Sequence, residues 1–404
     1  MSLSHVRRSA IGRTAGYYGA MATFGLLGAA WGPALPFLAS STNTDLARVS
    51  LIFTSLALGG FLGTTLGGRS YDRIPGHAIM TVALLVMAGA AVLIPLTATF
   101  WLLLLLIFVL GAAAGLMTVG ANTLLVWIHP DNVGPWITGL HFFSGIGAVL
   151  APLIIVFVMS ATAGIKVAFW IMAAIILIPA VWLLLVKSPA IRQANKDENE
   201  GQIIYKLVVP ISIIFLLYVG AEVAFAGWLF TNTITLHPGQ ESMAGYLTAA
   251  FWIAFSVGRL AAIPISSRIP AKTILVADFT GCLVSLGLVL ALPTSLTALW
   301  VATISLGLSM AAIFPAMLTF SEHRLRLTGK VSGIIFGTAA LGAMTVPLLI
   351  GQVFEAAGPR ATMVVLFIDL LIAFIVLAVL LSSHSLSPAK SDIAAKKEME
   401  LTRH

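Results

Sequence analysis

Apolar stretches long enough to cross a bilayer follow one another along almost the whole chain, and this excludes any fold whose only solvent is water. Residues 101–127, 167–186 and 363–381 each approach or exceed the roughly 20 residues that a helix needs to span the hydrocarbon core. Of 404 residues, 59% are hydrophobic and 9% charged, against about 25% charged in an ordinary soluble domain. Hydropathy places twelve helical spans at about 17–39, 51–68, 78–97, 100–127, 136–160, 166–187, 207–230, 244–265, 273–292, 296–320, 329–352 and 361–382. The first begins like a signal peptide, with Arg7, Arg8 and Arg13 ahead of it, but its apolar run continues to Ala39 and reads as an uncleaved span. The expected fold class is an all-α membrane protein.

The net charge of +7 does not point to nucleic acid, because the basic residues form no single stripe. Their placement reads as topology. With a cytoplasmic N-terminus and alternating spans, all of the 22 Lys and Arg residues except Arg48, Lys166 and Arg360 fall in inner segments. That asymmetry follows the positive-inside rule and puts both termini in the cytoplasm of a cell-membrane protein. Cys282, the single cysteine, lies in an apolar run and excludes an intrachain disulfide.

One long polar interruption, running through Gln193-Ala194-Asn195-Lys196-Asp197-Glu198-Asn199-Glu200, has the composition of a linker. It divides the chain into an N-terminal half (1–187), a linker (188–206), a C-terminal half (207–382) and a tail (383–404). The halves match each other at one offset: Gly63 with Gly258, Arg73-Ile74-Pro75 with Arg268-Ile269-Pro270, and Gly147-Ala148…Pro152-Leu153 with Gly342-Ala343…Pro347-Leu348, each 195 residues apart. Two six-helix units of like orientation, with a site between them near the midplane, describe the major facilitator architecture.

Gly67-Gly68-Arg69-Ser70-Tyr71-Asp72-Arg73, between the second and third spans, resembles the loop signature of the major facilitator superfamily, with departures at Pro75 and His77. The resemblance implies a conformational gate involving Gly68, Asp72, Arg73 and their second-half counterparts Arg259 and Arg268. There Asp72 would pair with a basic group or a helix N-terminus in one state and release it in the other. Tyr218-Val219-Gly220-Ala221-Glu222 in the seventh span resembles the fucose–glucose–galactose symporter family, whose members include fucose permease, bacterial glucose/mannose symporters and sodium-dependent glucose transporters. Phe251-Trp252…Gly258-Arg259, Ala312-Ile313-Phe314-Pro315-Ala316 and Phe143-Ser144-Gly145-Ile146-Gly147-Ala148 extend the likeness over both halves. Thr118 and Gly32-Pro33 stand where fucose permease has acidic residues, so coupling through those positions is excluded here.

Ionisable groups inside spans are costly and each invites a function. Glu222, midway along the seventh span, is the leading candidate for binding the coupling ion or a sugar hydroxyl, while Asp278 and Asp369 read as structural. Thr118 and Asn122 share one face of the fourth span; His141 and Ser144 share one face of the fifth. Trp31, Trp228 and Trp252 are candidates to stack on a sugar, whereas Trp101, Trp127, Trp136 and Trp300 sit at span ends in the interfacial belt. Glu222 and Trp228 fall on different faces of an unbroken helix, so using both requires a discontinuity at Ala226-Gly227.

The resulting expectation is a secondary transporter, working as a monomer among membrane lipids, that imports a hexose-type sugar with H+ or Na+. Export of drugs or metabolites by proton antiport is the alternative. The fifth-span segment Gly145–Leu153 lacks the G-P-x-x-G-G ending of drug–proton antiporters and favours uptake. No phosphate-binding loop, H-E-x-x-H pair or catalytic cluster suggests an enzyme, a metal or a cofactor. Reporter fusions near Asn195 and in the tail are expected to read cytoplasmic, and an external reading at either would break the twelve-span topology.

Overall fold

The computed structural model describes residues 3–130, 133–161, 164–190, 205–322, 324–325 and 329–382. Within them are twelve helices long and apolar enough to cross a membrane: Ala10–Ser41, Leu46–Tyr71, Gly76–Leu96, Phe100–Ile128, Gly134–Ser160, Gly164–Leu185, Tyr205–Leu236, Glu241–Ser266, Ala271–Ala291, Leu296–Glu322, Lys330–Ala357 and Arg360–Ser382. These are spans 1 to 12. Most of the expected linker, at 191–204, and the tail, at 383–404, lie outside the described residues.

Packing repeats as the sequence does. Span 1 lies against span 5, span 2 against span 4 and span 3 against span 6; spans 7 and 11, 8 and 10, and 9 and 12 pair in the same way. The repeated glycines explain why. A Cβ at Gly147 would run into the Ala22 carbonyl of span 1, and one at its counterpart Gly342 into the Leu216 carbonyl of span 7. Gly63 meets the Ala112 carbonyl of span 4; at Gly258 a Cβ would lie 2.7 Å from Ala311 Cβ and 2.9 Å from the Leu308 carbonyl of span 10. Lipid tails are as apolar as the helices, so association rests on such close backbone contact. Gly25 and Gly220, the same offset apart, supply the other sides of the span 1–5 and span 7–11 contacts.

The expected discontinuity at Ala226-Gly227 is absent: span 7 is one helix from Tyr205 to Leu236. Span 10 is the interrupted one, with helices Leu296–Met310 and Ile313–Glu322. Glycine only permits a break. Pro315 removes the N–H that the Ala311 carbonyl would use and so favours the break without requiring it, since Pro152, Pro179, Pro210, Pro264 and Pro347 lie inside continuous helices. Arg259, counted from sequence among the inner-segment charges, lies inside span 8.

Contacts between the halves cluster at the end remote from the linker. There Gln352 Nε2 donates to the Ala47 carbonyl (3.0 Å), Thr54 Oγ1 donates to the Met344 carbonyl (3.0 Å), and Gly351 packs against Ser50. One turn after another along the same faces toward the linker end, Leu58, Phe61 and Phe336 are exposed, and Gly68, Gly333 and Gly337 have open space beside them. The molecule is therefore closed at one end and open between its halves at the linker end. His77, a departure from the loop signature, is buried there: Nδ1 lies 2.8 Å from the Val186 carbonyl and Nε2 2.9 Å from the Tyr17 hydroxyl. With Nδ1–H donating to the carbonyl and Tyr17 donating to Nε2, the neutral ring satisfies both and ties span 6 to spans 1 and 3.

Gly147→Val is expected to force spans 1 and 5 apart and destabilise the purified protein by about 1–3 kcal/mol, the usual cost of overpacking. Gly68→Ala, in open space, should leave its melting temperature unchanged, and equal melting of the two variants would contradict the packing account.

Candidate functional site

Glu222 stands half-buried near the middle of span 7. One helical turn earlier, Tyr218 is 1% exposed and places its hydroxyl 2.5 Å from Glu222 Oε2 and 2.8 Å from the Met310 carbonyl. Met310 is the last residue before the break in span 10. The i, i+4 spacing puts Tyr218 and Glu222 on one face, and interruption of the helical ladder turns a main-chain oxygen toward them. Neither Tyr218 nor Met310 was singled out as a site residue from sequence. The available signals were the Tyr-x-x-x-Glu spacing and Pro315.

Span 8 contributes Arg259, whose guanidinium carbon lies 4.4 Å over the Phe255 ring and whose charge acts on both Glu222 and His141. His141, in span 5, is exposed at the opening. Trp252, Ser256 and Arg259 follow one another at i, i+4 and i+7 and so form one stripe. That stripe faces span 5, because Ser256 packs against Gly145. Trp252 Nε1 and Ser256 Oγ are buried without a hydrogen-bond partner, and orphaned polar atoms of this kind call for a ligand, ion or water. The Trp252 ring is held edge-on by Phe251 (5.2 Å) and Phe255 (5.6 Å).

The remaining sequence candidates fall elsewhere or are internally satisfied. Thr118 Oγ1 donates to the Ala114 carbonyl (2.8 Å) and Asn122 Nδ2 to the Thr118 carbonyl (2.9 Å), so both turn hydrogen bonds back on span 4 while staying half-buried. Ser144 is half-buried, and its carbonyl is the group against which Gly25 packs. No hydrogen bond joins Thr118 or Asn122 to His141 or Ser144 among the described residues. Trp228 is wholly buried, donates from Nε1 to the Pro347 carbonyl (3.0 Å) and packs on Phe354 at 5.2 Å, which makes it a tie between spans 7 and 11. Trp31, 2% exposed, faces Phe169 of span 6 at 6.3 Å. At the linker end Gly68, Asp72, Arg73 and Arg268 are exposed, and Asp72 forms no ion pair with another described residue.

A family model for the Major Facilitator Superfamily matches residues 17–342. The chain belongs to that superfamily. It is a multi-pass membrane transporter for a small molecule, not an enzyme. It is similar to sodium-dependent glucose transporter 1A of Mus musculus, 29% identical over 83% of this chain and 88% of that one. Major facilitator superfamily domain-containing protein 4A of the same species is 26% identical over 97% and 96%. Among solved structures, the D-xylose-proton symporter superposes with a TM-score of 0.75 at 14% identity over 91% of this chain and 97% of that one. The nucleoside transporter NupG gives 0.70 at 15% over 91% and 98%. These two show the shared fold.

Trp228→Phe removes the indole N–H that ties span 7 to the Pro347 carbonyl, so the variant is expected to lose about 1 kcal/mol of stability and to keep wild-type substrate affinity. A large loss of affinity without loss of stability would return Trp228 to the binding site.

Proposed function

We propose that this transporter imports a hexose-type sugar into the cytoplasm by alternating access, driven by a cation that binds at Glu222. The observation that carries the reading is the stripe Trp252, Ser256 and Arg259, with two unused buried polar atoms, set at the junction of the halves within the field that also reaches Glu222. An indole offers a flat surface to the C–H face of a sugar, and unpaired Nε1–H and hydroxyl groups suit its oxygens. The naming of relatives as sodium-dependent glucose transporters supports the substrate class. His141, Asn122, Thr118 and Ser144 would complete the lining, with Trp31 and Trp228 holding the wall behind it.

With cytoplasmic termini, as the charge distribution favours, the linker-end opening faces the cytoplasm and the structure is the state that releases substrate. The loop residues Gly68, Asp72, Arg73 and Arg268 then form a disengaged gate that closes when the inner ends meet. Glu222 supplies the energetic link, since a carboxylate within a span is costly unless a cation or a partner neutralises it.

Proteoliposomes offered a panel of radiolabelled hexoses, under imposed proton or sodium gradients, test the reading. The expected result is gradient-driven accumulation of at least one hexose by the wild type. Glu222→Gln, which keeps shape and hydrogen bonding but removes the charge, should abolish accumulation and retain exchange of sugar across the membrane. Wild-type accumulation in that variant would make Glu222 a structural partner and move the coupling site to Asp278 or Asp369.

A further inference from the structure

The Tyr218 hydroxyl carries one hydrogen and has two oxygens within hydrogen-bonding distance, Glu222 Oε2 at 2.5 Å and the Met310 carbonyl at 2.8 Å. A carbonyl only accepts, and an ionised carboxylate only accepts. With Glu222 ionised, the single hydrogen serves one of the two and leaves the other oxygen pair in contact with nothing between them. With Glu222 protonated, its O–H donates to the tyrosine oxygen and the tyrosine O–H donates to Met310. Both distances are then filled by one unidirectional chain, so the observed arrangement belongs to the protonated carboxyl.

We infer that Glu222, Tyr218 and the Met310 carbonyl form a proton-operated latch on the break in span 10, and that the coupling ion is a proton. The inference rests on the reading of Glu222 as the coupling site and goes beyond it by naming the ion and the element that the ion controls. The 2.5 Å separation leaves no room for a metal cation between the two oxygens. Even Mg2+, with oxygen ligands at about 2.0–2.1 Å, keeps neighbouring oxygens of its octahedron about 3 Å apart, and Na+ is larger.

The mechanical consequence follows from where Met310 lies. Tyr218 and Met310 join span 7, which is continuous, to the end of the first helix of span 10; beyond the break, Ile313–Glu322 runs to the linker end. Proton loss to water at the opening breaks only the carboxyl O–H bond. Tyr218 then turns its hydrogen to the new carboxylate, Met310 is released, and the two helices of span 10 are free to change their mutual angle. Arg259 on span 8 is the charged group among the described residues whose field acts on Glu222. The spans packed against span 7 also carry Arg13, Tyr17 and Tyr18 on span 1, Glu241 and Tyr246 on span 8, Glu322 on span 10, Lys330 and Glu355 on span 11, and Arg360 and Asp369 on span 12; from span 9, Cys282 acts on Tyr218.

The test reads the latch without any sugar, so it remains decisive if the hexose assignment fails. In a full-length Cys282→Ala background, Ala316→Cys places a thiol at a buried position just beyond the break. Its labelling rate, normalised to that of a Ser267→Cys control on the exposed loop, is followed from about pH 5.5 to about pH 8.5. The expected result is a roughly tenfold faster normalised rate at high pH, the change that loss of one hydrogen bond brings. Tyr218→Phe, which cannot form the chain, should label fast at every pH; Glu222→Gln, whose amide donates to Tyr218 permanently, should label slowly at every pH. A pH-independent rate in the parent protein, or a rate set by about 150 mM Na+ and indifferent to pH, would overturn the proposal.

Discussion

Close backbone contact between paired spans is the constraint on which the rest of this molecule depends. Inside a bilayer, burying a leucine against another helix gains little over leaving it against lipid, so dispersion and short approach distances must hold the helices together. Gly147 against Ala22 and Gly342 against Leu216 provide such distances at corresponding places in the two halves. Each half is thereby a stiff unit. Motion is left to the junction between them, where the hydrogen bonds from one half to the other lie at the end remote from the linker.

At that junction the polar groups are few. Tyr218 is the hub: it is buried, it bridges the carboxyl group of Glu222 to the interruption in span 10, and the Arg259 charge acts on it as it does on Glu222. Span 10 is open at the level where the tyrosine can reach it, beside Pro315, which leaves the Ala311 carbonyl without its helical N–H partner. Opposite them, span 8 presents Trp252 and Ser256 with unused hydrogen-bonding capacity, which marks the face on which substrate recognition can be built.

The three tryptophans show how far sequence reasoning reaches into such a site. Trp31, Trp228 and Trp252 all lie within spans and are equivalent as candidates until their neighbours are known. Trp228 turns out to be fastened to Pro347 and Phe354; Trp31 and Trp252 both keep an unsatisfied nitrogen, but Trp31 faces Phe169 of span 6, whereas Trp252 lies on the stripe that faces span 5. Glu222 stood out because a carboxylate is conspicuous in an apolar run, but Tyr218 did not, since a tyrosine in a span is ordinary until its hydroxyl is seen between two acceptors. The break lies before Pro315 and not at Ala226-Gly227, and neither residue type fixes it, because glycines and prolines also stand inside continuous spans.

The sequence by itself determined the number and order of the spans, the division into two halves, the 195-residue repeat and the depth of Glu222 in its helix. All of these depend on local composition and on spacing along the chain, which the bilayer reads directly through the cost of polar groups in hydrocarbon. Tertiary structure alone decided how each span is rotated about its axis, which polar groups share a site, where a span breaks and which end of the molecule is open. The physical reason is that lipid and protein interior are nearly equivalent surroundings for an apolar side chain, so hydropathy does not distinguish the inward from the outward face of a span. That choice is made by the fit of small residues against neighbouring backbones and by single hydrogen bonds, such as those of Tyr218, whose partners lie far away in the chain.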